Sequence, residues 1–217
     1  MSRSQLLRRA RVAFALLSMP ALAHAQSTLD SRVQVAVGGG LMTSGTYFSG
    51  PGGLELAGAD ALAGSLQASM PVHRSLRIVV GGSYAAPDFR LTGVPLLGSV
   101  GLSGAHLWFA DAALRGQLPL AAASPTAPVA FAQVGAGLAH YSVNATVLGN
   151  AIDESATNFA GSLGVGLGLA FTERLGVEVM AKDYIASFKS VDDLAAFGVE
   201  GRRTHTLLLS VSARLGL

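Results

Sequence analysis

The chain contains no cysteine. That excludes a disulfide framework, a thiolate metal site and a lipid-bearing cysteine. Charge is scarce at 13% and aromatics at 6%, although half of the 217 residues are hydrophobic, an apolar balance for a water-soluble domain. Yet beyond residue 25 no stretch approaches about 18 uninterrupted apolar residues, so helical membrane spans are excluded. Also missing are a linker or low-complexity break, a Gly-rich phosphate loop ahead of a helix, and a histidine pair at metal-ligand spacing. No metal and no cofactor are expected.

Residues 1–25 read as a segment of their own. Arg3, Arg8, Arg9 and Arg11 lead into an apolar run from Val12 to Ala23, and Ala23-His24-Ala25 has the small-x-small form of a signal-peptidase site. This is the pattern of a secretory signal peptide, which leaves residues 26–217 as one mature domain. An anchoring helix would need about 20 apolar residues, and the run is too short. The same arginines explain the apparent basicity. The whole chain has 15 Lys and Arg against 13 Asp and Glu, but the part after residue 25 has 11 against 13. With no basic cluster left, nucleic acid is not an expected partner.

What the sequence has instead is alternation. From Thr204 to the carboxylate, Leu207, Leu209, Val211, Ala213, Leu215 and Leu217 take every second position. Thr206, Ser210, Ser212 and Arg214 lie between them, and only Leu208 breaks the polar set. A two-residue period puts the sets on opposite faces of a strand. Seven more segments share the pattern: 33–41, 60–70, 76–84, 105–118, 128–141, 158–171 and 175–185. Leu62, Leu66 and Met70 mark the apolar face of the second, and Ser65, Gln67 and Ser69 its polar face. In the sixth, Leu163, Val165, Leu167 and Leu169 alternate with glycine and serine. A strand that parts lipid from a polar interior needs this division. Glycines facing a narrow interior leave room for the few long side chains that fill it.

Connection lengths give an independent test. The links 71–75, 119–127 and 172–174 are short, whereas those after the first, third, fifth and seventh segments are longer and rich in Gly, Ser, Asn and Asp. Short turns at one end and long loops at the other are what an even-stranded outer-membrane barrel requires. A soluble β-sandwich accounts for the alternating residues but not for the alternating loops. The expected fold is therefore all-β: an eight-stranded antiparallel transmembrane β-barrel, connected as an up-and-down meander. Phe48, Tyr84, Trp108, Tyr141, Phe159 and Tyr184 fall near upper strand ends, with Phe131 and Phe171 nearer the lower ends, as in interfacial girdles.

With such a terminal segment behind a secretory signal, the chain resembles the small outer-membrane β-barrel family that includes OmpA-type and OmpX/opacity-type proteins. Thr172-Glu173-Arg174-Leu175-Gly176-Val177-Glu178-Val179, followed by Asp183-Tyr184-Ile185 and Phe188, resembles a turn-plus-strand pattern recurrent in such proteins of Gram-negative bacteria. The resemblance implies residence in the outer-membrane lipid bilayer. It also implies insertion by the barrel assembly machinery, which would read Leu209, Val211, Ala213, Leu215 and Leu217. The family usually closes on an aromatic residue, and this chain closes on Leu217. Fold-level likeness says little about activity. The leading expectation is a non-enzymatic monomer serving envelope structure or surface interaction. Any extracellular ligand would meet the long external segments 43–57, 86–104, 144–157 and 187–201.

Chemistry must come from few side chains. Arg77, Asp111, Arg115, Gln133, Glu178, Lys182 and Arg214 fall on inward faces. Eight strands enclose a space that side chains essentially fill, and buried charges need partners. These residues are expected to plug the lumen with ion pairs and hydrogen bonds, Asp111 and Arg115 meeting Glu178, Lys182 and Arg214. A narrow small-solute channel is one alternative. Another is a lipid A-modifying enzyme, because His140-Tyr141-Ser142 with Glu154 beyond resembles the His-x-Ser pair and later Glu of outer-membrane lipid A deacylases. That resemblance implies Ser142 as nucleophile, His140 as base and Glu154 as the group orienting the imidazole. In that family Asn follows the serine directly, whereas here Val143 precedes Asn144. His73 lies in a turn, and His106 and His205 lie near the external rim.

Overall fold

Alternating segments cannot bury both faces in water, and here they bury only one. The computed structural model describes residues 33–49, 53, 55–94, 98–102, 104–121, 127–147, 150–187, 200–201 and 203–217. In chain order the strands are β1 (Gln34–Ser44), β2 (Thr46–Ser49), β3 (Glu55–Gly58), β4 (Ala61–His73), β5 (Leu76–Ala85), β6 (Phe89–Val94) and β7 (Gly98–Leu102). They continue as β8 (Ala105–Pro119), β9 (Val129–Val147), β10 (Asn150–Ala170), β11 (Leu175–Ser187), β12 (Glu200–Gly201) and β13 (Arg203–Gly216). Eight of them close a barrel in the order β1-β13-β11-β10-β9-β8-β5-β4. All eight contacts are antiparallel, and the first and last strands zip together from Gln34–Gly216 to Ser44–Thr206. The expected meander is therefore the observed one.

The faces follow the two-residue period. Leu62, Leu66, Val80, Leu114, Val134, Leu163, Val165, Leu167, Val179 and Val211 all stand exposed on the outer wall. Gln67, Arg77, Asp111, Arg115, Gln133, Glu178 and Lys182 are buried inside. A water-soluble protein does not show a continuous apolar exterior around a charged interior. A barrel wall in lipid does.

Large and small side chains are unequally shared inside. β8 contributes Leu107, Phe109, Asp111 and Arg115, and β11 contributes Glu178, Met180, Lys182 and Tyr184. Between them, β9 and β10 present Gly135, Gly137, Ala139, Ala160, Ser162, Gly164 and Gly166. A Cβ on Gly137 would collide with the Ala110 carbonyl, and one on Gly166 would press into the Phe131 ring. Gly137→Ala should therefore destabilise the barrel by about 1–3 kcal/mol through overpacking. A lowered urea midpoint and a smaller fraction running as the compact, heat-modifiable band on gels would register that loss.

Three expectations change. The external segments 43–57, 86–104 and 187–201 contribute to a second, five-stranded sheet, ordered β12-β2-β3-β6-β7. Its strands are short, and β2 pairs with β12, more than 150 positions away, so no local pattern announces it. Second, β9 and β10 run past their expected ends at 141 and 158, pairing up to Val147 and Asn150, because β-branched residues continue among the polar ones. Third, Tyr141, Tyr184 and Phe131 are buried inside rather than set in a girdle. They share parity with Gln133 and Lys182, which decides their face. Tyr84, Trp108, Phe159 and Phe171 do face outward. The signal segment 1–25, the side chain of Phe48 and most of 187–201 lie outside the described residues.

Candidate functional site

Arg115 is the hub of the lumen. Its planar guanidinium offers five N–H donors in a fixed fork. Nε donates to Gln133 Oε1 at 3.0 Å, Nη1 to Glu178 Oε2 at 2.9 Å and Nη2 to Gln67 Oε1 at 2.7 Å. The guanidinium also lies 4.2 Å from the centroid of the Phe131 ring. The four partners come from three strands, Gln67 from β4, Phe131 and Gln133 from β9 and Glu178 from β11, so one side chain ties distant walls together. Gln67 completes its bonding with Nε2 directed at Met180 Sδ, 3.7 Å away.

A second pair sits nearer the external end. Lys182 Nζ reaches Asp111 Oδ1 at 2.7 Å, and Ser162 Oγ donates to Asp111 Oδ2 at 2.6 Å. Both carboxylate oxygens are therefore met. Lys182 Nζ also stands 4.8 Å from the Tyr184 ring, and Tyr184 stacks on Phe109 with centroids 4.1 Å apart. Around these rings Met42, Leu107, Tyr141 and Leu208 form an apolar layer, which is where the exceptional Leu208 of the last strand belongs. Polar groups thus occupy the interior below and an apolar layer occupies it above.

The expected lumen residues take these places. Asp111 pairs with Lys182 and Arg115 with Glu178, while Arg214 stands 3.7 Å from Glu178 and is more exposed than the others. Arg77 is held through Ser69, donating to its Oγ at 3.1 Å and its carbonyl at 3.2 Å. Gln67, Ser162, Phe131 and Tyr184 belong to the same network and were not among the expected members. All are uncharged, so a search for charge passes over them, although their inward parity marks them. The terminal residues Leu209, Val211, Leu215 and Leu217 line the outer wall. Among the described residues no group of three His, Cys, Asp or Glu side chains is placed to hold a metal ion.

The His140–Ser142 segment lies on the outer rim. His140 Nδ1 is 2.7 Å from Thr157 Oγ1, and its ring stacks on Trp108 with centroids 5.2 Å apart. Ser142 pairs with His106 on one side and Ser155 on the other. Glu154 pairs with Val143, one position off that row, and so has the opposite parity; its side chain lies outside the described residues. The group that meets the imidazole here is a threonine hydroxyl, not a carboxylate.

A closed eight-stranded antiparallel wall, apolar outside and charged inside, is an integral membrane β-barrel of the outer-membrane type. Comparison with solved structures agrees on the fold. Neisserial surface protein A (NspA) is similar with a TM-score of 0.54 at 14% identity, over 85% of this chain and 97% of that one. The outer membrane protease OmpT from Escherichia coli is similar with a TM-score of 0.50 at 8% identity, over 89% and 99%. At such identities the likeness is one of fold. No family model matches the sequence, and no curated protein matches it.

Proposed function

We propose that this is a non-enzymatic, monomeric integral protein of the bacterial outer membrane, serving envelope structure or surface interaction. On this reading residues 1–25 direct export and are removed, and the barrel assembly machinery recognises the outward face of β13. The supporting observation is the filled lumen. Arg115, Glu178, Asp111 and Lys182 pair with one another beneath the stacked Phe109 and Tyr184, which opposes a conduction path. Recognition then falls to the external segments, held on a rigid wall.

Two measurements test this. In planar bilayers the folded protein should give no stable conductance steps, and a reproducible small-solute conductance would favour the channel reading. Lipid A recovered from membranes bearing the protein should have an unchanged mass. If the parent protein removes an acyl chain and Ser142→Ala or His140→Ala abolishes that activity, the enzyme reading replaces this one. Deleting 89–102, the β6–β7 hairpin, should leave the barrel folded while removing any binding phenotype.

A further inference from the structure

The outer wall changes chemistry along one row of paired positions. Tyr84 of β5, Trp108 of β8, His140 of β9 and Thr157 of β10 form a single row of directly paired, outward positions across four adjacent strands. His106 stands beside Trp108 on the same face. Below the row, the outward residues of these strands are Val80, Ile78, Ala110, Ala112, Leu114, Val134, Leu138 and their like. Trp108 stands ten positions from Leu118 and His140 ten from Ala130, near the lower wall ends. A tilted strand needs about 9–11 residues to cross a membrane. The row therefore lies where acyl chains end and headgroups begin.

The side chains here are organised across strands. Tyr84 Oη is 2.6 Å from His106 Nδ1, and their rings stack. His140 is held the same way, Nδ1 against the Thr157 hydroxyl and ring against Trp108. A hydroxyl that donates to Nδ1 fixes the tautomer with the proton on Nε2. In that tautomer both imidazoles turn an N–H away from their anchors, and the half-exposed Trp108 indole brings another donor. The five members of this patch include no carboxylate. Donors at the top of an acyl-covered wall suit an acceptor on the same lipid molecules whose chains cover that wall. We infer that Tyr84, His106, Trp108, His140 and Thr157 form a docking site for the phosphomonoester headgroup of a membrane lipid, whose phosphate oxygens, unlike those of a choline phosphodiester, are not capped. His106 and His140 donate to phosphate oxygens, and the Trp108 ring packs at the headgroup boundary, where such rings concentrate.

This inference rests on the reading of the chain as a membrane barrel, and one experiment separates the two. Trp108 is the only tryptophan, so its emission reports the patch directly. The full-length barrel is folded into phosphatidylcholine vesicles containing increasing fractions of phosphatidic acid, either lipid brominated at the same acyl positions. If no brominated lipid quenches Trp108, the barrel is not inserted and the membrane reading fails. If both lipids quench equally, the barrel is inserted but the headgroup site is refuted. The expected result is a relative binding constant favouring phosphatidic acid by at least about threefold, as charge-assisted hydrogen bonds to phosphate would give. Brominated diacylglycerol, which has the small headgroup without the phosphate, should show no preference. The H106A/H140A double variant should bring the ratio to about one, and an unchanged ratio would overturn the assignment. His106→Gln and His140→Gln provide the same comparison in variants that keep side-chain volume, with compact gel migration confirming the fold.

Discussion

Replacing Arg115 with methionine should destabilise the barrel by about 3–5 kcal/mol, because removing one member of a buried pair strands the other. Among the described residues Glu178 would keep Arg214 alone, at 3.7 Å, and the oxygens of Gln67 and Gln133 would lose the Arg115 donors. The double variant R115M/E178Q should recover much of that loss, since neither charge is then left behind. A cycle of urea titrations in vesicles, followed through Trp108 emission, measures the coupling. Strictly additive losses would mean that the two groups are solvated independently. Lys182→Met is expected to behave alike toward Asp111, whose other oxygen Ser162 still meets.

On the outside, position along the strand should decide the cost. Val165 lies between Phe159 and Leu169 on the lipid-facing side of β10, paired with Ala132 and Ala181. Val165→Arg should cost about 2–4 kcal/mol, and Leu169→Arg, near the lower interface, about 0–1 kcal/mol. Equal losses at the two sites would argue against a bilayer around this wall. An arginine at the inward Ser162 is no mild control. Ser162 Oγ is bonded to Asp111, and the space beside it is closed by Gly135. There an arginine must displace the Asp111–Lys182 pair.

The sequence carries the wall more fully than the plug. Leu62 against Gln67, or Leu114 against Arg115, states which face meets lipid, because a strand has two faces and nothing else to decide. The inward set is therefore readable. Who pairs with whom is not, since it depends on how far each strand is staggered against the next and on the reach of long side chains. That is why Glu178 binds Arg115 closely and Arg214 only distantly. The burial of Tyr141 and Tyr184 is readable from parity, yet nearness to a strand end draws the eye to an interfacial role. The external sheet is beyond local reading, because β2, β3, β6 and β12 are brought together only once the wall has set the positions of their ends. At the rim, the position opposite His140 is set by the β9–β10 register, which places Thr157 there instead of Glu154.

The uneven lining of the barrel bears on how it can be assembled. The strands that hold the network, β4 to β11, are neighbours in one continuous stretch of wall, and Arg214 alone reaches in from β13. The seam where the chain meets its own beginning has Gly38 and Gly40 on one side and Ser210 and Ser212 on the other. An unclosed, curved sheet can thus already have its charges neutralised. Over that middle stretch, sealing brings a ladder of backbone hydrogen bonds together over small residues, and larger inward side chains meet only nearer the external end, where Met42 pairs with Leu208. Closure then meets little steric resistance along the middle of the seam, and the apolar layer at its external end is completed only when Met42 reaches Leu208.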